Sequence, residues 1–418
     1  MSVWAKHSPR LMLVASSVAL VTALAGCSGS TGMTAKAPAG HAAGGQGDQR
    51  GTPPTTSPAS PLAQPATLTA TVKPAAGDVP VDTPVTVRAS GGTLKSVVFE
   101  AAGGTALAGT FNSSRTTWTA SEFLDPGVHY TLRSQAVNAA GKVTRSTRSF
   151  TSQHLTLDQQ TYPNVSPLQG QVVGIGMPVV VTFDVPVTDR AEVQKYMSVT
   201  STPAQVGSWH WVSSTEVHWR PKTYWKPGTK VDVKLNLNGV NAGNGIYGQL
   251  SRDIHFTIGK SLLIRASVAT DKLRVVEAGR VVRTIPITGG KPGGFQTRSG
   301  IKLVSQKYPS IDMNSATVGI DPNGPEGYNI ANVQYAMRVT NSGEFLHAAP
   351  WSVYAQGHYN VSHGCIGMST ANAQWLYNLT PVGTPVVVTG SSRPIEPNNG
   401  WTDWDESWAQ YTATSAIR

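Results

Sequence analysis

Between residues 66 and 390 the apolar side chains fall in short runs, several of them alternating with polar ones, and each run is cut by glycine, proline or a polar turn cluster. Alternation with period two buries one face of an extended segment and leaves the other in water, so these runs predict strands. Runs at 67–72, 85–89, 94–99, 129–136 and 142–150 predict one small antiparallel sandwich, with Pro126-Gly127 at a turn. Runs at 178–183, 216–220, 230–237 and 253–258 predict a second, with Pro227-Gly228 just before its third run. A third block opens with runs at 262–268, 272–277 and 281–287, continues to a short helix over 371–379, and closes on a strand at 385–388. Ser369 or Thr370 is placed to cap that helix, with Ala373, Trp375 and Leu376 available for packing. The fold class is therefore mainly β. The 42 Gly and 28 Pro supply the breaks, and a charged content of 13% excludes a long charged coiled coil or a highly charged disordered chain.

The first 65 residues read differently. Lys6 and Arg10 precede an apolar run at 11–24 that ends in Leu24-Ala25-Gly26-Cys27, the order of a signal peptide with a small-residue cleavage site. This box resembles that of bacterial lipoproteins, in which the cysteine is lipidated and becomes the mature N-terminus, so residues 1–26 are expected to be removed and Cys27 to carry lipid. Residues 28–65 are Gly-, Ser-, Thr-, Ala- and Pro-rich without apolar periodicity, which predicts a tether rather than a packed element. The net charge of +10 favours anionic surroundings such as an envelope polymer, a membrane surface or nucleic acid, and charge alone does not choose among them; the partners expected from the rest of the sequence do not include nucleic acid.

Within the second block, Trp209, Trp211, Trp219 and Trp225 accompany His210 and His218 on strand-like segments, where sheet packing is the expected role and carbohydrate binding the alternative. Gly289, Gly290, Gly293 and Gly294 form a loop without the Lys-Ser/Thr ending of a phosphate-binding loop, so nucleotide hydrolysis is unsupported.

The chemistry concentrates between His347 and Cys365. The chain has two cysteines, and once Cys27 is acylated Cys365 has no structural partner. His347, His358 and His363 precede it closely, and an imidazole beside a thiol can accept its proton. Gly364 allows a close backbone approach at which amides would face a tetrahedral oxyanion. The combination points to acyl transfer through a thioester.

Histidine, a gap, then Ser362-His363-Gly364-Cys365-Ile366 strongly resembles the L,D-transpeptidase (YkuD) family, and the resemblance covers 261–390. The whole plan looks like the mycobacterial lipoprotein enzymes of that family: two immunoglobulin-like β-sandwich domains, at 66–153 and 154–260, before a mixed β catalytic domain. The resemblance implies Cys365 as nucleophile, His347 as base, His363 as a cleft histidine, and the amides of Gly364 and Cys365 in an oxyanion hole. It also implies Tyr328 on a flap over the cleft, with Trp351, Tyr354, His358, Asn360 and Ser362 along the substrate site. Two positions depart from the pattern. Gly367 stands where the family usually has Asn, and Ala348 stands where Ser often follows the base, so a backbone carbonyl would have to orient the imidazole. Tyr328 is also one residue further from His347 than in the nearest pattern.

The implied reaction cleaves a tetrapeptide stem between the L-centre of meso-diaminopimelate and D-Ala, then passes the acyl group to a second diaminopimelate to make a 3→3 crosslink. Water as acceptor would give a carboxypeptidase. Carbapenems are expected to acylate the same cysteine, no cofactor is needed, and the lipid anchor would hold the enzyme on the outer face of the cytoplasmic membrane, facing the wall. Three alternatives stay open: an inactive wall-binding module, another cysteine peptidase or amidase, and a zinc site at His347, His358, His363 and Cys365, whose spacing matches no established ligand set. Residues 391–418 are expected to pack on the catalytic domain, with Trp401, Trp404 and Trp408 on one face if helical.

Overall fold

The protein, described here from a computed structural model covering residues 64–417, is mostly β, with few short helices. The signal, Cys27 and most of the tether lie outside these residues. Strands between Thr67 and Ser152 build two four-stranded sheets, one ordered Thr67–Ala70, Thr86–Ser90, Thr117–Ala120, Gly109–Phe111 and the other Ala76–Val79, Val143–Ser152, His129–Val137, Thr93–Ala101. Between them sits an aromatic core in which Phe99 lies 5.2 Å from Tyr130 and 6.1 Å from Phe150, ring centre to ring centre. The Tyr130 hydroxyl would be a buried orphan there, and it accepts the Asp125 amide at 2.8 Å.

The second sandwich also packs two four-stranded sheets, with a smaller three-stranded one beside them. Trp209, Trp211, Trp219 and Trp225 are all buried in it. Trp225 stacks on Trp219 at 5.4 Å and donates its Nε1–H to the Met177 carbonyl at 2.7 Å. The four rings are core, and the carbohydrate alternative for them falls.

The third block holds a five-stranded sheet ordered Arg280–Pro286, Lys272–Glu277, Leu262–Ser267, Pro385–Thr389, Gly300–Leu303, and a four-stranded sheet ordered Gln306–Asn314, Asn329–Arg338, Phe345–Ala348, Ile366–Met368. The helix Thr370–Leu379 is capped by the Ser369 hydroxyl, which accepts the Asn372 amide, and it buries Ala373 and Leu376. Its core joins Ile264, Val275 and Val386 of the first sheet to Met337, Leu346 and Ile366 of the second.

The C-terminal segment departs from expectation. Only Trp408–Ala413 is helical, so the three tryptophans do not share a helix face, and the segment packs on the second sandwich as well as on the third block. On the catalytic side Asp405 accepts the Ile301 amide at 2.8 Å and Glu396 binds Arg298 at 2.5 Å. On the sandwich side Trp404 donates to the Gly176 carbonyl at 2.7 Å, and Arg220 lies over the rings of Trp404, Trp408 and Tyr411. The reason is electrostatic: His218, buried on its strand, needs partners for both ring nitrogens. Nδ1 meets Asp403 at 2.7 Å and Nε2 meets Glu216 at 2.7 Å. Two carboxylate acceptors require both nitrogens to donate, hence an imidazolium. Burial alone would depress its pKa, but Asp403 and then Glu216 override this and raise it from 6.5 to about 9.

A group with a raised folded-state pKa contributes stability that is complete below its unfolded value and is lost as pH rises through the folded one. The melting temperature of the full chain should therefore fall between pH 6.5 and about 9. Asp403→Asn should cost about 3 kcal/mol at pH 7, at the low end for breaking a buried pair because Glu216 remains, and should flatten that decline. A variant that melts with the wild type at every pH would remove this clamp from the account.

Candidate active site

His347 lies on the strand Phe345–Ala348, and Cys365 immediately precedes the strand Ile366–Met368. The two strands run parallel, with Leu346 opposite Ile366 and His347 opposite Gly367. Parallel neighbours need a crossover of about a dozen residues or more, which accounts physically for the long gap between histidine and cysteine in the sequence. That crossover contains the turn Pro350–Ser352 and returns through Ser362, which is bridged to Gly290.

The glycine-rich loop holds the nucleophile turn. Ser362 donates its amide to the Gly289 carbonyl at 2.9 Å, Lys291 donates to the Ser362 carbonyl at 2.8 Å, and Thr297 Oγ1 donates to the Gly364 carbonyl at 2.8 Å. A Cβ on Gly290 would sit 1.9 Å from the Phe295 carbonyl oxygen, so only glycine lets these segments close. Gly364 has φ +126°, the second position where glycine is required.

Around Cys365 the donors are arranged differently from expectation. The Gly364 amide points to Ser362 Oγ at 3.1 Å, while that hydroxyl donates to the Cys365 carbonyl at 2.6 Å. The serine side chain tightens the turn and takes the Gly364 amide out of any oxyanion hole. The Cys365 amide has no protein acceptor among the described residues and is the backbone donor left for that role. Sγ lies 3.6 Å from the Gly343 carbonyl. Burial pushes the thiol up from 9.0 to about 12; the Phe345 backbone hydrogen bond opposes this, Glu344 adds to it, and Lys302 and Arg338 oppose it.

His347 is 5% exposed and stacks on Trp351 at 5.8 Å. Its Nδ1 is 2.7 Å from the carbonyl of Ala348. Because a carbonyl only accepts, Nδ1 carries the proton and Nε2 is left as the acceptor. The serine absent at 348 is thus replaced by that residue's own backbone. Burial holds the imidazole below its ordinary pKa, with the Ala348 bond partly offsetting it, so the ring is neutral at rest.

Cys365 and His347 open into one cavity of about 230 Å³, also lined by Tyr328, Trp351, Tyr354, Ser362 and His363. His358 and Asn360 are not in its lining. Asn360 is a latch: Nδ2 donates to the Val268 carbonyl at 2.7 Å and Oδ1 accepts the Gly289 amide at 2.5 Å. His358 is exposed to solvent on the outer lip. Gly367 faces Thr288 and Ala349, and a Cβ there would lie 2.9 Å from the Ala349 methyl.

His363 is set by groups that no sequence signal linked to it. Its Nε2 binds Glu326 at 2.8 Å, Phe295 meets the ring edge-on at 4.8 Å, and Tyr328 lies 5.0 Å away. Glu326 also pairs with Lys291, and hydrogen bonds from Lys291 and then His363 hold its carboxyl below the ordinary range. Tyr328 and Glu326 lie on the loop between the strands Gln306–Asn314 and Asn329–Arg338, so this pair ties that loop to the nucleophile turn. The Tyr328 hydroxyl is pushed up to about 12, by burial first and by Cys365 second, and stays a donor. Behind Cys365, the buried Glu344 pairs with Lys302 and, at 3.0 Å, with Arg298. Among the described residues no cluster of His, Cys, Asp and Glu could hold a metal ion.

Two protein families match this chain. Residues 76–241 match the bacterial Ig domain family and residues 261–388 match the L,D-transpeptidase catalytic domain. The chain is 39% identical to L,D-transpeptidase 2 of Mycobacterium tuberculosis over 352 residues, which is 84% of this chain and 85% of that one. It is 34% identical to L,D-transpeptidase 5 of the same organism, covering 83% and 77% of the two chains. Among solved structures, an L,D-transpeptidase 3 of Mycobacterium tuberculosis carrying a faropenem-derived adduct is 34% identical, covers 54% of this chain and 97% of that one, and superimposes with a TM-score of 0.45.

The raised pKa of the half-buried thiol carries a direct consequence. Alkylation of Cys365 by iodoacetamide at pH 7 should run at least about tenfold slower than that of free cysteine and should still be rising at pH 9. A plateau below pH 8, read by intact mass, would mean a thiolate already present at rest.

Proposed function

The chain belongs to the L,D-transpeptidase family and is an enzyme acting on peptidoglycan; from that premise we propose that Cys365 and His347 exchange D-Ala of a tetrapeptide stem for a second stem, leaving a 3→3 meso-diaminopimelate crosslink. The observation that carries the proposal is the parallel pairing that brings both residues to one cavity with His347 Nε2 unengaged.

In the first half-reaction Nε2 takes the Cys365 proton as sulfur attacks the carbonyl joining the L-centre of diaminopimelate to D-Ala. The oxyanion that forms faces the Cys365 amide and the Tyr328 hydroxyl. Its collapse breaks the C–N bond, the imidazolium hands its proton to the departing amine, and D-Ala leaves a thioester behind. In the second half an uncharged side-chain amine of another diaminopimelate attacks the thioester, His347 receives its proton, and the C–S bond breaks. The proton returns to sulfur. Water in place of the amine gives hydrolysis, so exclusion of water by the Tyr328 loop, tied down through Glu326, favours transfer. A carbapenem presents a strained amide carbonyl to the same sulfur, and opening of the ring would leave a stable adduct on Cys365.

The proposal includes the anchor. The apolar run and Leu24-Ala25-Gly26-Cys27 support lipidation at Cys27, which would hold the enzyme at the outer face of the cytoplasmic membrane with residues 28–65 as a tether. Labelled palmitate should enter the full chain and be lost from Cys27→Ala; label retained in that variant would overturn the anchor.

Incubated with a meso-diaminopimelate tetrapeptide, the full chain should gain the acyl mass, release D-Ala and form a crosslinked dimer. Cys365→Ala should do none of these, and His347→Ala should lose at least about a hundredfold in rate. A folded wild-type protein that forms no adduct with stem or carbapenem would instead favour a wall-binding module.

A further inference from the structure

The lip formed by residues 350–360 exposes an unusual set of side chains. Trp351 is 47% exposed, Tyr354 66% and Tyr359 51%. These aromatics are not carried on a slack loop. Gln356 Nε2 donates to the Ala349 carbonyl at 3.0 Å, the Gly357 amide to the Ile287 carbonyl at 2.9 Å, and Asn360 latches to Val268, while Ala355 and Ser352 are buried beneath. The backbone is fixed, and the rings project from it into water at a cost in apolar exposure.

The rings form a path. Trp351 and Tyr354 line the cavity that holds Cys365 and His347, whereas Tyr359 does not, and its ring centre lies 6.2 Å from that of Tyr354. The path therefore begins in the reaction cavity and runs outward. Its chemistry narrows the occupant, because residues 348–362 contain no Asp, Glu, Lys or Arg. A stem peptide, with its carboxylates and amine, would be met by counter-charges. A pyranose has an apolar C–H face and a hydroxyl rim, and fits an aromatic face bordered by phenol hydroxyls and the exposed His358 side chain.

We propose that Trp351, Tyr354 and Tyr359 form a saccharide platform that stacks the disaccharide bearing the donor stem while the stem itself enters the cavity. This rests on the reaction proposed above, since the stem in the cavity is what brings its own sugar to the lip. The platform makes the enzyme selective for stems still attached to glycan, with Tyr359 the residue that reads the sugar and touches nothing in the reaction.

The test compares D-Ala release by the full chain from a free tetrapeptide and from the same tetrapeptide on N-acetylglucosaminyl-N-acetylmuramic acid. Wild type should show kcat/KM roughly three- to tenfold higher on the disaccharide form, the effect of one or two stacked rings. Tyr359→Ala should lose that preference with its rate on free tetrapeptide kept, and Tyr359→Trp should retain it. A second measurement needs no turnover: saturation-transfer NMR of stem-free β-1,4-linked N-acetylglucosamine tetramer on Cys365→Ala should show ring-to-sugar transfer that disappears in Cys365→Ala with Tyr359→Ala. An equal preference in wild type and Tyr359→Ala, slowing of both substrates alike, or sugar binding unchanged by the substitution would overturn the platform. Absence of D-Ala release from either substrate would sink the proposed reaction instead, and the NMR arm would still decide the saccharide.

Discussion

The pairing of Phe345–Ala348 with Ile366–Met368 is the constraint on which the catalytic block depends. Because the pair is parallel, the chain must leave the sheet after His347 and return before Cys365, and everything that shapes the cleft mouth rides on that excursion. His347, the proposed base, comes in on one strand and Cys365, the proposed nucleophile, at the start of the next, and the register of His347 against Gly367 sets their relation. A one-residue slip of either strand would turn its side chain to the opposite face of the sheet and part the pair. The glycine-rich loop is the brace: its amides and carbonyls take up Ser362, and Thr297 ties the Gly364 carbonyl, so the turn before the nucleophile has little freedom left.

Charge is scarce in this chain, and among the described residues its buried pairs gather at two places. Beside Cys365 the buried Glu344 is surrounded by Lys302 and Arg298, and Arg298 reaches on to Glu396 in the C-terminal segment. Across the molecule, the same segment delivers Asp403 to His218. One stretch of chain therefore completes a buried charge set in the catalytic block and another in the second sandwich. Removing Asp403 would leave the buried His218 charge with Glu216 alone, and the segment is held at both Arg298 and His218, so it reads as a clamp rather than a tail.

Strand positions were largely legible in the sequence because alternation and turn chemistry are local: the strand Lys272–Glu277 falls at 272–277 as expected, and the Ser369 cap starts the helix expected near 371. The short strands Ala76–Val79 and Gly109–Phe111 lack that periodicity, and Thr117–Ala120 alternates over only four residues, so they could be seen only once their neighbours were placed. Cys365 and His347 were legible through motif spacing. Glu326 and Lys291 were not, since they reach His363 across the fold and leave no spacing in the chain to find. Asn360 and Gly364 show the converse. Proximity to the nucleophile suggested contact with substrate or oxyanion, yet in both the hydrogen-bonding capacity is consumed in holding the turn.

The opposite displacements of the two reacting groups explain why such a site can rest unreactive until substrate arrives. Burial raises the thiol and lowers the imidazole, so the neutral pair is favoured over the ion pair when the cavity is open to no substrate. In the proposed reaction, transfer of the proton becomes favourable only when the negative charge on sulfur moves onward to a carbonyl oxygen that meets the Cys365 amide and a Tyr328 hydroxyl that remains protonated. The donors are then complementary to the charge that develops in the reaction rather than to a thiolate at rest, which spares the cysteine from the oxidation to which a standing thiolate is prone.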